Sequence, residues 1–454
     1  MRTTVALDPA PQRGGAPIAP PWAGSERSLG RNLAELLSSH AVVAAVGVLS
    51  LPLLARNLGV AAYGQFSLFL TALGVLSNLD LARPILVREL AQSGRGASAE
   101  ANALAVTSAL TLSVVAALVG LLLGGPVWAA TLGLAALLHG AAASGFAELS
   151  ARGRVGLAGR IRNTAWALAL TTAVGASFFA ASVHAYAWAF CGANLYILWR
   201  YQGAVSQRLR TLVVAPRFRL LMDRRERAAD VAIFAGASAV VSSADKLILE
   251  RCTDQETFGH YAGQYDLAVK VNIISTALGN VILPRIAAIV GREGRIAAER
   301  YFVRVATWAT LGYFAALLLA VLLHGRVMAL VLGPDFLAPG TSLLYPLFLF
   351  GVFVHLFGFL ITAYQRALGD FRTHRVTYIA SATLMLMVGA YAIPAHGAAG
   401  AAATYLTART AELGLIGFEA RRLSREVLPP WRLIALCLLA ATLGTCAAAV
   451  TLRS

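Results

Sequence analysis

Long apolar runs, separated by short segments that carry arginine, set the pattern of this chain. Thirteen runs stand out, at about residues 33–54, 64–87, 102–124, 126–149, 160–181, 183–201, 229–250, 257–289, 300–324, 341–363, 374–394, 398–422 and 432–452. Each approaches or exceeds the roughly 18–20 residues that an α-helix needs to cross a bilayer core. The run at 257–289 is longer than a bilayer requires, so its inner end is expected to project or to bend near Pro284.

Orientation follows from the loops, because arginine and lysine collect on the cytoplasmic side. With the N-terminus inside, inner segments hold 30 basic residues and outer segments hold 4, namely Arg56, Arg251, Arg326 and Arg453. Tryptophans agree with that assignment. Trp128 and Trp188 fall near outer ends and Trp199 and Trp431 near inner ends, where indole rings favour the interface. An odd number of spans puts the C-terminus outside.

Composition fits a membrane protein and excludes other classes. The chain has 454 residues, 58% of them hydrophobic and 13% charged, with a mean hydropathy of +0.68. A soluble domain carries about 25% charged residues. The net charge of +16 is not the clustered basic face of a nucleic-acid binder, since it is dispersed between apolar runs. Four cysteines, Cys191, Cys252, Cys437 and Cys446, show neither a disulfide framework nor a zinc spacing. No metal site or cofactor is indicated. Residues 1–30 read as a disordered cytosolic tail, without the apolar core of a signal peptide.

The chain repeats itself. Leu53-Leu54-Ala55-Arg56 is followed eight residues after the arginine by Gly64-Gln65-Phe66, and Ile248-Leu249-Glu250-Arg251 is followed at the same interval by Gly259-His260-Tyr261. Both segments close one span and open the next. The repeat implies an N-terminal six-helix lobe at 31–203, a basic linker at 204–228, a second lobe at 229–425 and an additional helix within 426–454. Parallel repeats of this kind place a substrate path between the halves.

At these residues the sequence resembles the polysaccharide transporter branch of the multidrug/oligosaccharidyl-lipid/polysaccharide exporter (MOP) superfamily, which includes flippases for oligosaccharide-lipids. The matching stretches are Leu54-Ala55-Arg56-Asn57-Leu58-Gly59, Tyr63-Gly64-Gln65-Phe66-Ser67, Asp80-Leu81-Ala82 and Val87-Arg88-Glu89-Leu90. In the second half they are Asp245-Lys246, Phe258-Gly259-His260-Tyr261 and Leu283-Pro284. The resemblance implies an all-α integral membrane fold of 12–14 helices, as two pseudo-symmetric six-helix lobes around a central cavity. Thirteen spans depart from the family's usual 12 or 14, and Ala82 stands where the family often has glycine.

Ionisable residues at bilayer depth cost about 2.5–3.5 kcal/mol or more and are functional candidates. Lys270, Arg409 and Arg83 lie within spans, and Lys246 lies close to a span's outer end. Each has an acid one helical turn away, pairing Asp80 with Arg83, Lys246 with Glu250, Asp266 with Lys270 and Arg409 with Glu412. One reading is that the pairs only neutralise themselves. The other makes Arg83, Lys246, Lys270 and Arg409 the phosphate-binding side chains of a cavity, with Asp80, Asp266 and Glu412 as candidates for ion coupling. His139 and His355, also at mid-span, read as packed side chains or proton relays.

The function expected is the flipping of a polyprenyl-diphosphate-linked oligosaccharide from the cytosolic to the outer leaflet of an inner membrane, by alternating access. Proton or sodium coupling and contacts with glycan-assembly proteins are the accompanying expectations, with no nucleic-acid partner. The alternative is ion-coupled multidrug export within the same superfamily, which calls for unpaired acids in the cavity. An enzyme is not expected, because the sequence has no convergent acid, base, nucleophile or metal set.

Overall fold

In the computed structural model, residues 26–423 are described apart from 81, 94–98, 153, 180–182, 206–213, 224, 338–340, 342, 369–371 and much of 273–292. The expected thirteenth span at 432–452 and the bend near Pro284 lie outside the described residues. Among those residues all regular structure is helical. The first half contains α1 (Glu26–Leu58), α2 (Val60–Asn78), α3 (Ala82–Ser93), α4 (Ala99–Gly124), α5 (Pro126–Ala141), α6 (Ala143–Ala151), α7 (Val155–Ser177) and α8 (Val183–Ala204). After the short α9 (Phe218–Asp223) come α10 (Arg225–Cys252), α11 (Gln255–Val269), α12 (Arg295–Leu322), α13 (His324–Val331), α14 (Leu344–Ala367) and α15 (Arg372–Leu423).

Local chemistry explains the breaks. Gly59, at φ 75°, turns the chain between α1 and α2, a left-handed backbone that glycine adopts without a Cβ penalty. At the corresponding turn in the second half, Asp254 caps α11 by accepting the Thr257 N–H at 2.7 Å. The span expected at 64–87 is two helices, because the chain turns at residues 79–80 and Asp80 then accepts the Ala82 and Arg83 N–H groups at 3.2 and 3.3 Å. The span expected at 126–149 divides at Ala142 into α5 and α6. The long span at 257–289 is interrupted much earlier than expected: α11 ends at Val269 and Lys270 follows as its cap. The runs at 374–394 and 398–422 form a continuous pair broken at Gly397, whose φ of 55° and ψ of −131° fold the chain back after Pro394.

Packing divides the helices into two groups. In the first, α1 lies on α7, α7 and α5 on α8, and α4 on α5; in the second, α10 and α14 lie on α15, and α11 and α12 on α14. Large apolar side chains face outward, as with Leu118, Leu121 and Leu122 on α4 and Trp308, Leu319 and Leu322 on α12. Polar groups such as Thr107, Gln202, Asp245, Gln264 and Gln365 are buried. Apolar outside and polar within is the arrangement that lipid demands. Six helical segments among the described residues are long and apolar enough to cross a membrane, and the chain is a multi-pass, all-α integral membrane protein with two pseudo-symmetric lobes.

The lobes meet chiefly through α2 and α11, the two helices opened by the sequence repeat. Their crossing is backbone on backbone. A Cβ placed on Gly64 would lie 3.0 Å from the Gly259 Cα, and one on Gly259 would lie 2.1 Å from the Val60 carbonyl oxygen. Small residues permit such approach where lipid supplies no hydrophobic drive for association. Gly259→Ala is therefore expected to destabilise the detergent-solubilised protein by about 1–3 kcal/mol, as overpacking does. Gly74→Ala, with nothing within 4 Å of the new methyl, should stay within about 0.5 kcal/mol. Apparent melting temperatures of the two variants check the contrast.

Candidate functional site

A cavity of about 220 Å³ lies between the lobes, lined from α1, α2 and α7 on one side and from α11 on the other. Its polar lining is Ser50, Tyr63, Ser67, Thr71, Asp266 and Lys270. Tyr63, Ser67 and Thr71 recur every fourth residue, so α2 presents them as one hydroxyl row toward α11. Asp266 and Lys270 face the row from the last turn and cap of α11. Gln264 braces that helix, its amide donating to the Phe336 carbonyl at 3.2 Å while its carbonyl accepts the Tyr345 N–H at 2.9 Å.

Lys246 reaches the same place from α10. Its Nζ donates to Asp266 Oδ1 at 2.7 Å, Ser67 Oγ at 3.1 Å and Thr71 Oγ1 at 3.4 Å. It also stands 4.3 Å from the centre of the Tyr265 ring, within reach of a cation–π contact. The Tyr63 hydroxyl donates to Asp266 Oδ2 at 3.1 Å. Both oxygens of Asp266 are thus engaged, and the residue spans the lobe interface.

Two expected pairings are corrected here. Lys246 pairs with Asp266 on a neighbouring helix and not with Glu250, whose carboxylate lies 3.4 Å from Arg251 Nε. Asp266 in turn does not pair with Lys270. Among the described residues the Lys270 ammonium makes no hydrogen bond or ion pair; it lies toward α1, where a Cβ on Gly47 would come within 3.6 Å. A neighbouring helix won both contests because Lys246 finds three oxygens across the helix packing, whereas one turn along its own helix offers one carboxylate. Among the described residues, the cavity and its border bring together one carboxyl side chain, Asp266, and two lysines, Lys246 and Lys270.

The remaining candidates do not converge on this cavity. Arg83 stays in the first lobe, with Nε 3.2 Å from Asp80 Oδ2, Nη2 2.5 Å from His139 Nε2, and its guanidinium 5.0 Å from the Phe146 ring centre. Arg409 and Glu412 pair at 2.7 Å inside the second lobe. There His355 Nδ1 lies 3.2 Å from Arg409 Nη1, and Tyr405 lies under the guanidinium at 5.2 Å. The four basic candidates therefore occupy three separate places. Asp245, noted in the sequence only within a matching stretch, is fully buried; one oxygen accepts the Tyr261 hydroxyl and the other has no hydrogen-bond partner among the described residues. The hydroxyl row of α2 is not among the sequence expectations, although its four-residue spacing is legible there.

No protein-family model matches the chain, and no curated protein does. Solved structures do match. The chain superposes on the lipid II flippase MurJ in an inward closed conformation with a TM-score of 0.66, over 92% of this chain and 97% of that one, at 10% identity. An inward-facing multidrug resistance MATE family transporter of the MOP superfamily gives 0.56, with 92% and 96% covered at 11% identity.

The fold is that of the MOP transporters. A third MOP structure, a transporter from Pyrococcus furiosus whose binding pocket has reverse polarity, matches with a TM-score of 0.53, 93% and 96% coverage and 13% identity. At such identities the likeness is one of fold. In this MOP fold the Lys246–Asp266–Lys270 cluster lies where the two lobes face each other.

Because Lys246 is only 3% exposed, removing its partner strands a buried charge. Asp266→Leu is expected to cost about 3–5 kcal/mol, and adding Lys246→Met should recover most of that loss, since apolar replacement of a buried pair is often neutral. A thermal-stability double-mutant cycle in detergent measures the coupling.

Proposed function

We propose that the chain is a flippase of polysaccharide biosynthesis, moving a polyprenyl-diphosphate-linked oligosaccharide across an inner membrane by alternating access. The observation that supports this reading is the surplus ammonium of Lys270 in a cavity between the lobes. A desolvated diphosphate needs charge-assisted donors, and Lys270 is the one whose donors no protein group among the described residues takes up. Lys246 is held by Asp266 until an anion competes for it. In this reading the lobes are 31–203 and 229–425, joined by the basic linker 204–228 with the C-terminal helix at 426–454 appended.

The N-terminus lies in the cytosol, as the arginine distribution favours, so the face carrying the α1–α2 turn points outward. Arg83 and Arg409 act outside the cavity described here, the one near the inner mouth and the other within the second lobe. Asp80, Asp266 and Glu412 remain the acids proposed for proton or sodium coupling. Glycan-assembly proteins are the proposed partners. The reading is of a transporter and not an enzyme.

A second reading is export of cationic drugs by ion antiport. It is favoured by Asp245, whose free, buried carboxylate oxygen is the kind of group a cation or proton exchanger needs. The two readings differ in the phenotype of a deletion strain. Flipping requires loss of surface glycan and a build-up of polyprenyl-diphosphate sugars on the cytosolic leaflet, with unchanged drug resistance. Drug export requires the reverse. For the leading reading, Lys270→Ala should reach the membrane in normal amount and lower glycan export at least about tenfold, the effect of losing roughly 1.4 kcal/mol of binding. Lys270→Arg should retain part of the activity. Normal glycan export by Lys270→Ala removes this residue from the mechanism.

A further inference from the structure

The two arginines of the sequence repeat cross over between the lobes. Arg56, at the end of α1 in the first lobe, donates from Nη2 to the Leu330 carbonyl of α13 in the second half at 2.5 Å. Arg251, at the end of α10 in the second lobe, donates from Nη2 to the Leu122 carbonyl of α4 in the first at 2.7 Å. Equivalent donors thus make reciprocal contacts.

The acceptors are equivalent too. Leu122 stands three residues before Gly125, and Leu330 three residues before Gly333. Both glycines adopt positive φ, 78° and 102°, and each is followed by a proline, Pro126 and Pro334. Each acceptor is therefore in the last turn of a helix ended by a Gly-Pro stop, where carbonyls lack intrahelical partners. Such carbonyls sit at the negative end of the helix dipole, which attracts a cation. The Arg56 stem lies over Gly333, its Cγ 3.8 Å from where a Cβ would be. α2 and α11, the helices that follow the two arginines in the chain, are themselves joined by Gln65 Nε2 donating to Gln255 Oε1 at 3.0 Å.

We propose that Arg56 and Arg251 form a paired latch that holds the lobes shut at the face carrying the α1–α2 turn, and that opening this face requires both arginines to release the opposite lobe's helix end. The latch is independent of what is transported, so it stands or falls separately from the substrate reading. A hydrogen bond from a charged donor is strong enough to shift an equilibrium about tenfold or more, yet each bond here is exposed and so exchanges with water when the lobes part. Glu250, 3.4 Å from Arg251 Nε, is the acid that faces the second arm of the latch.

The test uses the full-length protein in membranes with its four cysteines replaced by serine and a Gln65→Cys/Gln255→Cys pair added. Oxidation cross-links the pair only while the face is closed. Arg56→Ala and Arg251→Ala should each slow cross-linking by about threefold to tenfold, to similar extents, and together by more. Arg160→Ala, which breaks an ion pair with Glu35 at 2.9 Å away from this face, should leave the rate unchanged. Arg56→Met and Arg251→Met keep the apolar stem and remove only the guanidinium, and they carry the same comparison if an alanine variant fails to insert. An unchanged rate in both single variants overturns the latch, and so does an effect confined to one arginine.

Discussion

Gly64 and Gly259 let two helices from the two halves of the chain touch backbone to backbone, and the rest of the lobe interface is arranged around that approach. In lipid, helices gain nothing from hiding apolar surface, since the solvent is apolar as well, so contact has to come from packing and polar groups. The missing side chains bring α2 and α11 close enough for short groups to reach across. One residue beyond Gly64, Gln65 meets Gln255; one residue before it, Tyr63 meets Asp266. With larger residues at the crossing, the hydroxyl row of α2 would stand too far from α11 to share Asp266 and Lys246.

The sequence carried the repeat and the helical class, because these depend on periodicity and composition within a segment. It carried less of the pairing. Asp80 with Arg83 and Arg409 with Glu412 are near neighbours on the chain and meet as the one-turn spacing implies. Lys246 and Lys270 do not, because a side chain buried between helices chooses among all the oxygens that packing supplies. A lysine with Asp266, Ser67 and Thr71 in reach is better solvated than one with a single acid on its own helix. That competition depends on tertiary structure, and local spacing has no access to it. Helix ends suffered similarly. The break after Val269 carries no proline, while Pro284 lies farther along the chain.

Electrostatics in the cavity differ from those in the lobe interiors. Inside the second lobe, Arg409 is held by Glu412, His355 and the Tyr405 ring, so its charge is already compensated. Such a pair is costly to break and offers little to a ligand. Lys270 is the opposite case. Its ammonium borders a cavity, and the nearest carboxylate is engaged by Lys246 and Tyr63. An ammonium without a partner among the described residues favours an anion that can enter the cavity. On the proposed reading, that difference separates a basic residue that braces the interior of one lobe from the one that recognises cargo.

On the proposed reading, cargo and gating are linked through the same two helices. α2 and α11 carry the glycine crossing near their starts and the cavity residues one to three turns farther on. A ligand shifts a conformational equilibrium only by its differential affinity for the two states. The cavity draws Ser67 and Thr71 from one lobe and Asp266 and Lys270 from the other, so its affinity must change when the lobes separate. An anion that displaces Asp266 from Lys246 leaves that carboxylate held by Tyr63 of the opposite lobe alone, loosening the interface beside Gly64. Occupancy of the cavity and closure of the face are therefore expected to be coupled through helix packing, without any longer path between them.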